Sequence, residues 1–236
     1  MRVFRSLFGA ASLAAMAVAC SDRPAPEASD ATASTPAPVS VSRRSTPAET
    51  RPRIVFLGDS LTAGHGLAAA DAFPAVLQQR LQEAGHDFEV INAGVSGDTS
   101  AGGLRRLDWS LEGDVRVLVV ALGGNDGLRG LPPDQLRANL ARIIETAQGR
   151  GIAVILAGME APPNFGPTYT QQFRAVYREL AEQYDVALIP FFLEGVAGVA
   201  SLNQSDGIHP NTEGQRRVAD TIWRALAPVI EARATS

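Results

Sequence analysis

The sequence predicts an α/β fold: a three-layer αβα sandwich built on a five-stranded parallel sheet. Three observations lead to it. From Arg53 onward, short apolar runs alternate with longer amphipathic segments, the order expected when each strand is followed by a helix that crosses back over the sheet. The apolar runs lack strict in–out alternation, as strands covered on both faces do. Glycine and polar residues gather directly after the runs, at what would be one rim of the sheet.

The strand candidates are RIVFLG (53–58), FEVINA (88–93), VRVLVVAL (115–122), IAVILAG (152–158) and VALIP (186–190). The helix candidates are residues 72–85, where Pro74 suits a first turn, and then residues 131–151, 168–184 and 212–232. Right-handed crossovers between them give a flavodoxin-like arrangement, in which ligands bind at the carboxyl ends of the strands. Those ends carry GDSLTAG, NAGVSGDTS, GGNDGLRG and MEAPPNFG, and after the fifth strand a longer excursion ends in SDGIHPN.

With 236 residues, 45% of them hydrophobic and 19% charged, the chain has material for one good-sized domain. A net charge of -4 gives no general pull toward nucleic acid or an anionic membrane. The pairs Arg43-Arg44 and Arg105-Arg106 read as solvated surface. Residues 1–19 read as an export signal: Arg2 and Arg5 form a basic start, LFGAASLAAMAV is too short to span a bilayer, and small residues follow. Two routes lead to a cut before Cys20. Ala17-Val18-Ala19 suits ordinary signal peptidase, which would leave a soluble periplasmic or secreted protein. AVAC resembles a bacterial lipobox, with Ala17 where that pattern prefers Leu. Cys20 is the only cysteine, so an intramolecular disulfide is impossible and lipidation would give the thiol a use. Ser21 then resembles the signal that passes a lipoprotein on to the outer membrane. Residues 20–52, rich in Pro, Ala, Ser and Thr, read as a flexible tether, and residues 53–236 as the domain.

In GDSLTAG, Asp59 and Ser60 are favoured helix caps, but Ser60 is also a candidate nucleophile. A serine hydroxyl needs a base in reach and a group that orients the base. The chain has three histidines. His86, in a helix-to-strand connection, falls on the opposite rim. His209 follows Asp206 by three residues and precedes Pro210, so carboxylate and imidazole can converge in a turn. Asp206 as a plain turn residue, with Asn211 or Thr212 capping the last helix, is the structural alternative. His65, between two glycines, is the rival base or a lining residue of a cleft. Acyl transfer also needs donors for a developing oxyanion. Gly97 offers an unobstructed backbone N–H, and Asn125 a side-chain amide on a loop freed by Gly123 and Gly124.

Gly58–Leu61, the glycine loop after the second strand, Gly123–Asp126 and Asp206–His209 occur in this order after the first, second, third and fifth strands. The set resembles the SGNH, or GDSL-type, hydrolase family. LGDSLTAG, SGDTS, LGGNDGLRG, PPNFGPTY, IPFFLE and DGIHPN are similar to its TesA-like branch of bacterial thioesterases, lysophospholipases and arylesterases. The resemblance implies a serine hydrolase of esters or thioesters, with Ser60 as nucleophile and Asp206 and His209 completing the triad. It places Gly97 and Asn125 with the Ser60 N–H in the oxyanion hole, Gly94 being the alternative in that loop. It also implies that Gly127–Leu131, Leu128 included, shape an apolar cleft. The expected partners are small esters, thioesters or lysolipids, with no nucleic acid, a membrane only through an N-terminal anchor, and a monomeric chain. No phosphate-binding loop or metal-ligand spacing is present in the sequence, so neither a cofactor nor a metal is expected. A carbohydrate deacetylase and a catalytically silent lipid-anchored binding module are the other readings. The HG pair of AGHGL is not part of the resemblance to the branch.

Overall fold

Apolar runs bounded by glycine and polar residues form the strands of a computed structural model that describes residues 51–234. The expected signal sequence, Cys20 and nearly all of the tether lie outside the described residues. The strands are β1 (Arg53–Gly58), β2 (Glu89–Gly94), β3 (Val115–Ala121), β4 (Ala153–Ala157) and β5 (Ala187–Ile189), all parallel in the order β2-β1-β3-β4-β5. β1 occupies the expected residues, and the other strands begin or end within one residue of theirs. β2 departs from the expectation of strands covered on both faces. It is an edge strand, and most of its residues are only partly buried.

Four long helices cover the sheet: α2 (Phe73–Glu83), α6 (Pro133–Gly149), α7 (Pro167–Tyr184) and α8 (Thr212–Ala234). α2 packs with α8, and α6 with α7. Four short helices complete the chain: α1 (Ser60–Ala63), at the helix start that the GDSL caps predict, and three that were not expected, α3 (Ser100–Arg105), α4 (Leu107–Ser110) and α5 (Gly124–Leu128). Segments of four to six residues are too short to display a 3.6-residue period, so hydrophobic patterning is silent about them. In the crossover from β2 to β3, Gly103 lets α3 approach so closely that a Cβ there would collide with Leu122.

The core lies where β1 and β3 sit at the centre of the sheet, with Ile54–Leu57 and Val117–Val120 fully buried. Side chains of β1 meet α2 through an edge-on contact of Phe56 and Phe73 at 5.4 Å between ring centroids. On α7, Phe173 and Tyr177 meet edge-on at 5.8 Å between ring centroids, and the Tyr177 hydroxyl donates to the Leu122 carbonyl at 3.0 Å. Each such side chain contributes about 1.5–3 kcal/mol by leaving water, and the Tyr177 bond also anchors the chain where β3 gives way to the next loop.

Gly58 pairs with Gly94 on one side and with Ala121 on the other. Three strands therefore end level, and the loops that leave them are brought side by side. Because the chain steps from β1 outward to β2 and then back across to β3, the crevice between the β1 and β3 ends is the switch point where such sheets bind ligands. Among the described residues, no helix is long and apolar enough to cross a membrane.

Candidate active site

Asp59, the first residue beyond β1, sets the local geometry. Its Oδ1 accepts from the Leu61 N–H at 3.0 Å, so Asp59 rather than Ser60 caps α1, and the Ser60 hydroxyl is left for other partners. The helix ends after four residues at Gly64, which is left-handed at φ 72°. A helix of one turn carries little macrodipole, so the dipole assistance that a helix start at Ser60 suggests reduces to local N–H groups.

Ser60 Oγ lies 2.9 Å from His209 Nε2, and His209 Nδ1 lies 2.7 Å from Asp206 Oδ2. A carboxylate only accepts, so Nδ1 carries the proton and Nε2 is free to accept from Ser60. The other Asp206 oxygen accepts from the backbone N–H groups of Ile208 at 2.9 Å and His209 at 3.0 Å. The His209 N–H, its imidazole and the Ile208 N–H together hold the Asp206 carboxyl well below the usual carboxylate range. The capping alternative is realised beside this arrangement, not instead of it: Asn211 Oδ1 accepts from the Gly214 N–H at 3.0 Å at the start of α8.

His65 lines the same cleft, with its ring 4.7 Å from that of His209, while the hydrogen bond to Ser60 belongs to His209. His86 lies before β2, on the opposite rim.

Gly97 and Asn125 also line the cleft with Ser60. Gly97 has φ +83°, a conformation that side chains rarely adopt. The Asn125 amide donates to the Asp98 carbonyl at 2.9 Å and, at a longer 3.3 Å, to Asp59 Oδ2. Gly94 is not on the cleft. Its N–H is given to Asn92 Oδ1, and it packs so closely on the Thr62–Ala63 backbone that a Cβ has no room.

The cleft has a volume of about 860 Å³. Leu128, half exposed, lines it together with apolar residues such as Met159, Ala161, Phe191 and Ile208. Gly127 and Leu131 are not among the lining residues. Gly127 is buried beneath, against Phe173 and Ala161, and the Leu131 carbonyl accepts from the Tyr169 hydroxyl.

Several residues that build the site escape sequence reasoning. Arg106 is not solvated surface: its side chain is 16% exposed, pairs with Asp98 at 2.7 Å and donates to the carbonyls of Ala93 and Gly58. It pins the β1 and β2 ends together by adding donors to the Ala93 carbonyl and to the Gly58 carbonyl, which also accepts from the Val95 N–H. Asp126 is buried and accepts from the Ser100 N–H and hydroxyl, tying α5 to α3. Gln215 of α8 donates to Leu61 O and accepts from the Phe73 N–H. Arg106 and Gln215 stand in no local motif, and although Asp126 closes the Gly123–Asp126 block, its partner Ser100 lies 26 residues away.

Asp59 is 2% exposed. Burial pushes its carboxyl up to about 6, against the opposing pull of the Leu61 N–H, the His209 imidazole and the Asn125 amide. A folded-state value raised from 3.8 to about 6 favours the protonated form. The associated stability is therefore complete below about pH 4 and is lost as pH rises through 6, a change of about 3 kcal/mol. Asp59→Asn lacks this titration. Urea unfolding is expected to show the variant's stability, relative to the parent, improving by about that amount between pH 4 and pH 8. A constant difference across that range would contradict the assignment.

The profile of the GDSL-like lipase/acylhydrolase family matches residues 56–217. The chain is similar to a protein named esterase TesA from Pseudomonas aeruginosa, 47% identical over 178 residues that cover 75% of this chain and 89% of that protein. It is 40% identical over 178 residues to a protein of Escherichia coli K12 named thioesterase 1/protease 1/lysophospholipase L1, covering 75% and 84% of the two chains. A crystal structure of a protein named TesA superposes with a TM-score of 0.72 at 47% identity, covering 76% of this chain and 99% of that one.

Proposed function

This chain belongs to the GDSL-like lipase/acylhydrolase family and is a serine hydrolase of carboxylic esters and thioesters, and from that premise we propose that Ser60, His209 and Asp206 carry out the reaction through an acyl-serine intermediate. The observation that carries the assignment is the relay from Asp206 through His209 to Ser60, at 2.7 and 2.9 Å, opening on an apolar cleft. His209 Nε2 takes the Ser60 proton as Oγ attacks the acyl carbonyl. Asp206, fixed by the two backbone N–H groups of its own turn, holds the imidazole in the accepting tautomer and stabilises the imidazolium. The tetrahedral intermediate collapses as His209 gives its proton to the departing alkoxide, phenoxide or thiolate, and water then repeats the cycle on the acyl-enzyme.

The oxyanion is assigned to the N–H groups of Ser60 and Gly97 and to the Asn125 amide. Of the two Asn125 hydrogen bonds, the 2.9 Å bond to Asp98 O orients the side chain. The longer bond to Asp59 is the one an oxyanion can take over. A donor already aimed before substrate arrives costs no reorganisation at the moment of reaction.

The volume and apolar lining of the cleft favour acyl chains over the acetyl groups of a carbohydrate deacetylase. On p-nitrophenyl esters from acetate to dodecanoate, kcat/KM is expected to rise about 10-fold or more between acetate and hexanoate, since each buried methylene contributes about 0.8 kcal/mol. A sharp acetate optimum with release of acetate from acetylated xylan would reverse the reading. We further propose export through residues 1–19 and lipidation of Cys20. This rests on the basic start, the apolar run and the AVAC sequence. The protein purified from a bacterial host should then have the mass of a chain beginning at a diacylglyceryl-modified Cys20, and an unmodified thiol at that position would remove the anchor.

A further inference from the structure

Ser60 and His209 are 149 residues apart in the chain and meet at 2.9 Å. Two irregular segments control that meeting: the exit from α1 at His65, and the turn from Asn203 to Pro210. One side chain joins them. Gln204 Nε2 donates to His65 O at 2.7 Å and to Pro210 O at 3.1 Å, using both of its N–H groups. The Gln204 backbone N–H donates to His209 O at 2.8 Å, and its carbonyl accepts from the Gly207 N–H at 2.9 Å. His65 in turn donates its backbone N–H to Ser60 O at 3.0 Å. A continuous set of hydrogen bonds thus runs from the Ser60 backbone through Gln204 to the backbone of His209.

The surroundings are built to this side chain. Gly66 stands at φ +78°, and a Cβ there would collide with Gln204 Oε1. Asn203, buried, bridges to Pro210 and gives its amide to the Val196 and Val199 carbonyls, so the foot of the turn is anchored independently of the Gln204 side chain. The tip is not: Ser205, Asp206, Gly207 and Ile208 are all exposed. Water competes for hydrogen bonds in an exposed turn, while a reacting pair must be held within about half an ångström.

We propose that Gln204 is a positioning residue for the hydrolysis: a two-donor clamp that holds the turn carrying His209 against the segment leaving Ser60. The proposal rests on the assignment of Ser60 and His209 above. Gln204 touches neither substrate nor the reacting atoms. It acts by limiting how far His209 Nε2 can drift from Ser60 Oγ, and misplacement by about 1 Å costs on the order of 100-fold.

The test is Gln204→Met, which keeps the length and loses both donors, beside Gln204→Glu, which keeps the shape and turns acceptors toward two carbonyls. Reaction with a fluorophosphonate gives the number of competent sites, and kcat is expressed per site. Gln204→Met is expected to lose about 10- to 100-fold in kcat per site with KM within about twofold, with the rate of phosphonylation of Ser60 falling by the same factor. Gln204→Glu should lose at least as much. If kcat per site stays within twofold of the parent in Gln204→Met, and activity falls only with the folded fraction, Gln204 is structural and the clamp is overturned. Ser60→Ala run in parallel separates the two levels: an inert Ser60→Ala beside a normal Gln204→Met removes the clamp and leaves the triad, whereas an active Ser60→Ala removes the triad itself.

Discussion

Ser60→Ala is expected to lower kcat for aryl esters and acyl thioesters by about 10⁵-fold, equivalent to about 7 kcal/mol of transition-state stabilisation. The hydroxyl proposed to attack is gone, while the cleft and the proposed donors to the oxyanion remain, and these set the residual rate. Folding should be little affected. The α1 cap is Asp59, and the strut from α8 reaches the Leu61 carbonyl, so no bond that holds the turn uses the Ser60 side chain. Adding His209→Ala to Ser60→Ala is expected to cost almost nothing further, because the two side chains act as one unit. The readouts are steady-state hydrolysis of p-nitrophenyl butyrate and labelling by a fluorophosphonate, with a thermal melt as control. Retention of more than about 1% of the activity by the folded variant would move the nucleophile elsewhere.

Asp206→Asn should reduce kcat by about 10³-fold with KM little changed, through the tautomer of His209 rather than through any loss of the turn. One carboxylate oxygen receives the Ile208 and His209 N–H groups and the other faces Nδ1. An asparagine that keeps the two backbone bonds must point its NH₂ at Nδ1. That nitrogen then becomes the acceptor, the proton moves to Nε2, and His209 can no longer take the Ser60 proton. If the amide turns over instead, its NH₂ faces two backbone donors. The Asp206 side chain is 42% exposed, so water can partly replace it and the loss should be smaller than for a buried triad carboxylate, about 10⁴-fold. A loss below tenfold, by steady-state kinetics and by the rate of phosphonylation, would reduce Asp206 to a turn residue.

The fold was legible because its signals are local and strong. Five apolar runs without alternation place the five strands to within a residue at each end. The long amphipathic segments place the four long helices, because eleven or more residues display a period. The edge position of β2 was hidden for a related reason: VINA is apolar enough to be covered on both faces, and only strand order leaves it at the margin. In the site, Ser60 and the Asp206–His209 pair were legible because each stands in a short motif at a strand end or in a tight turn. His65 shows the limit of that logic. It is five residues from Ser60 in sequence, lies beside His209 in space, and still leaves the Ser60 hydrogen bond to a residue 149 positions away.

The amino-acid order by itself determined the sheet, the rim on which the polar loops collect, and the side chains proposed for acyl-transfer chemistry, since all of these follow from residue type and near-neighbour spacing. Only the tertiary structure decided how the side chains are held. Level strand ends at Gly58, Gly94 and Ala121 bring Asp59 to Asn125 and bury Arg106 between two strand ends, and the chain's return after β5 lets Gln204 reach His65. A hydrogen bond requires two groups within about 3 Å, and for residues separated by 66 or 139 positions that proximity is set by sheet register and helix packing, which no local pattern encodes.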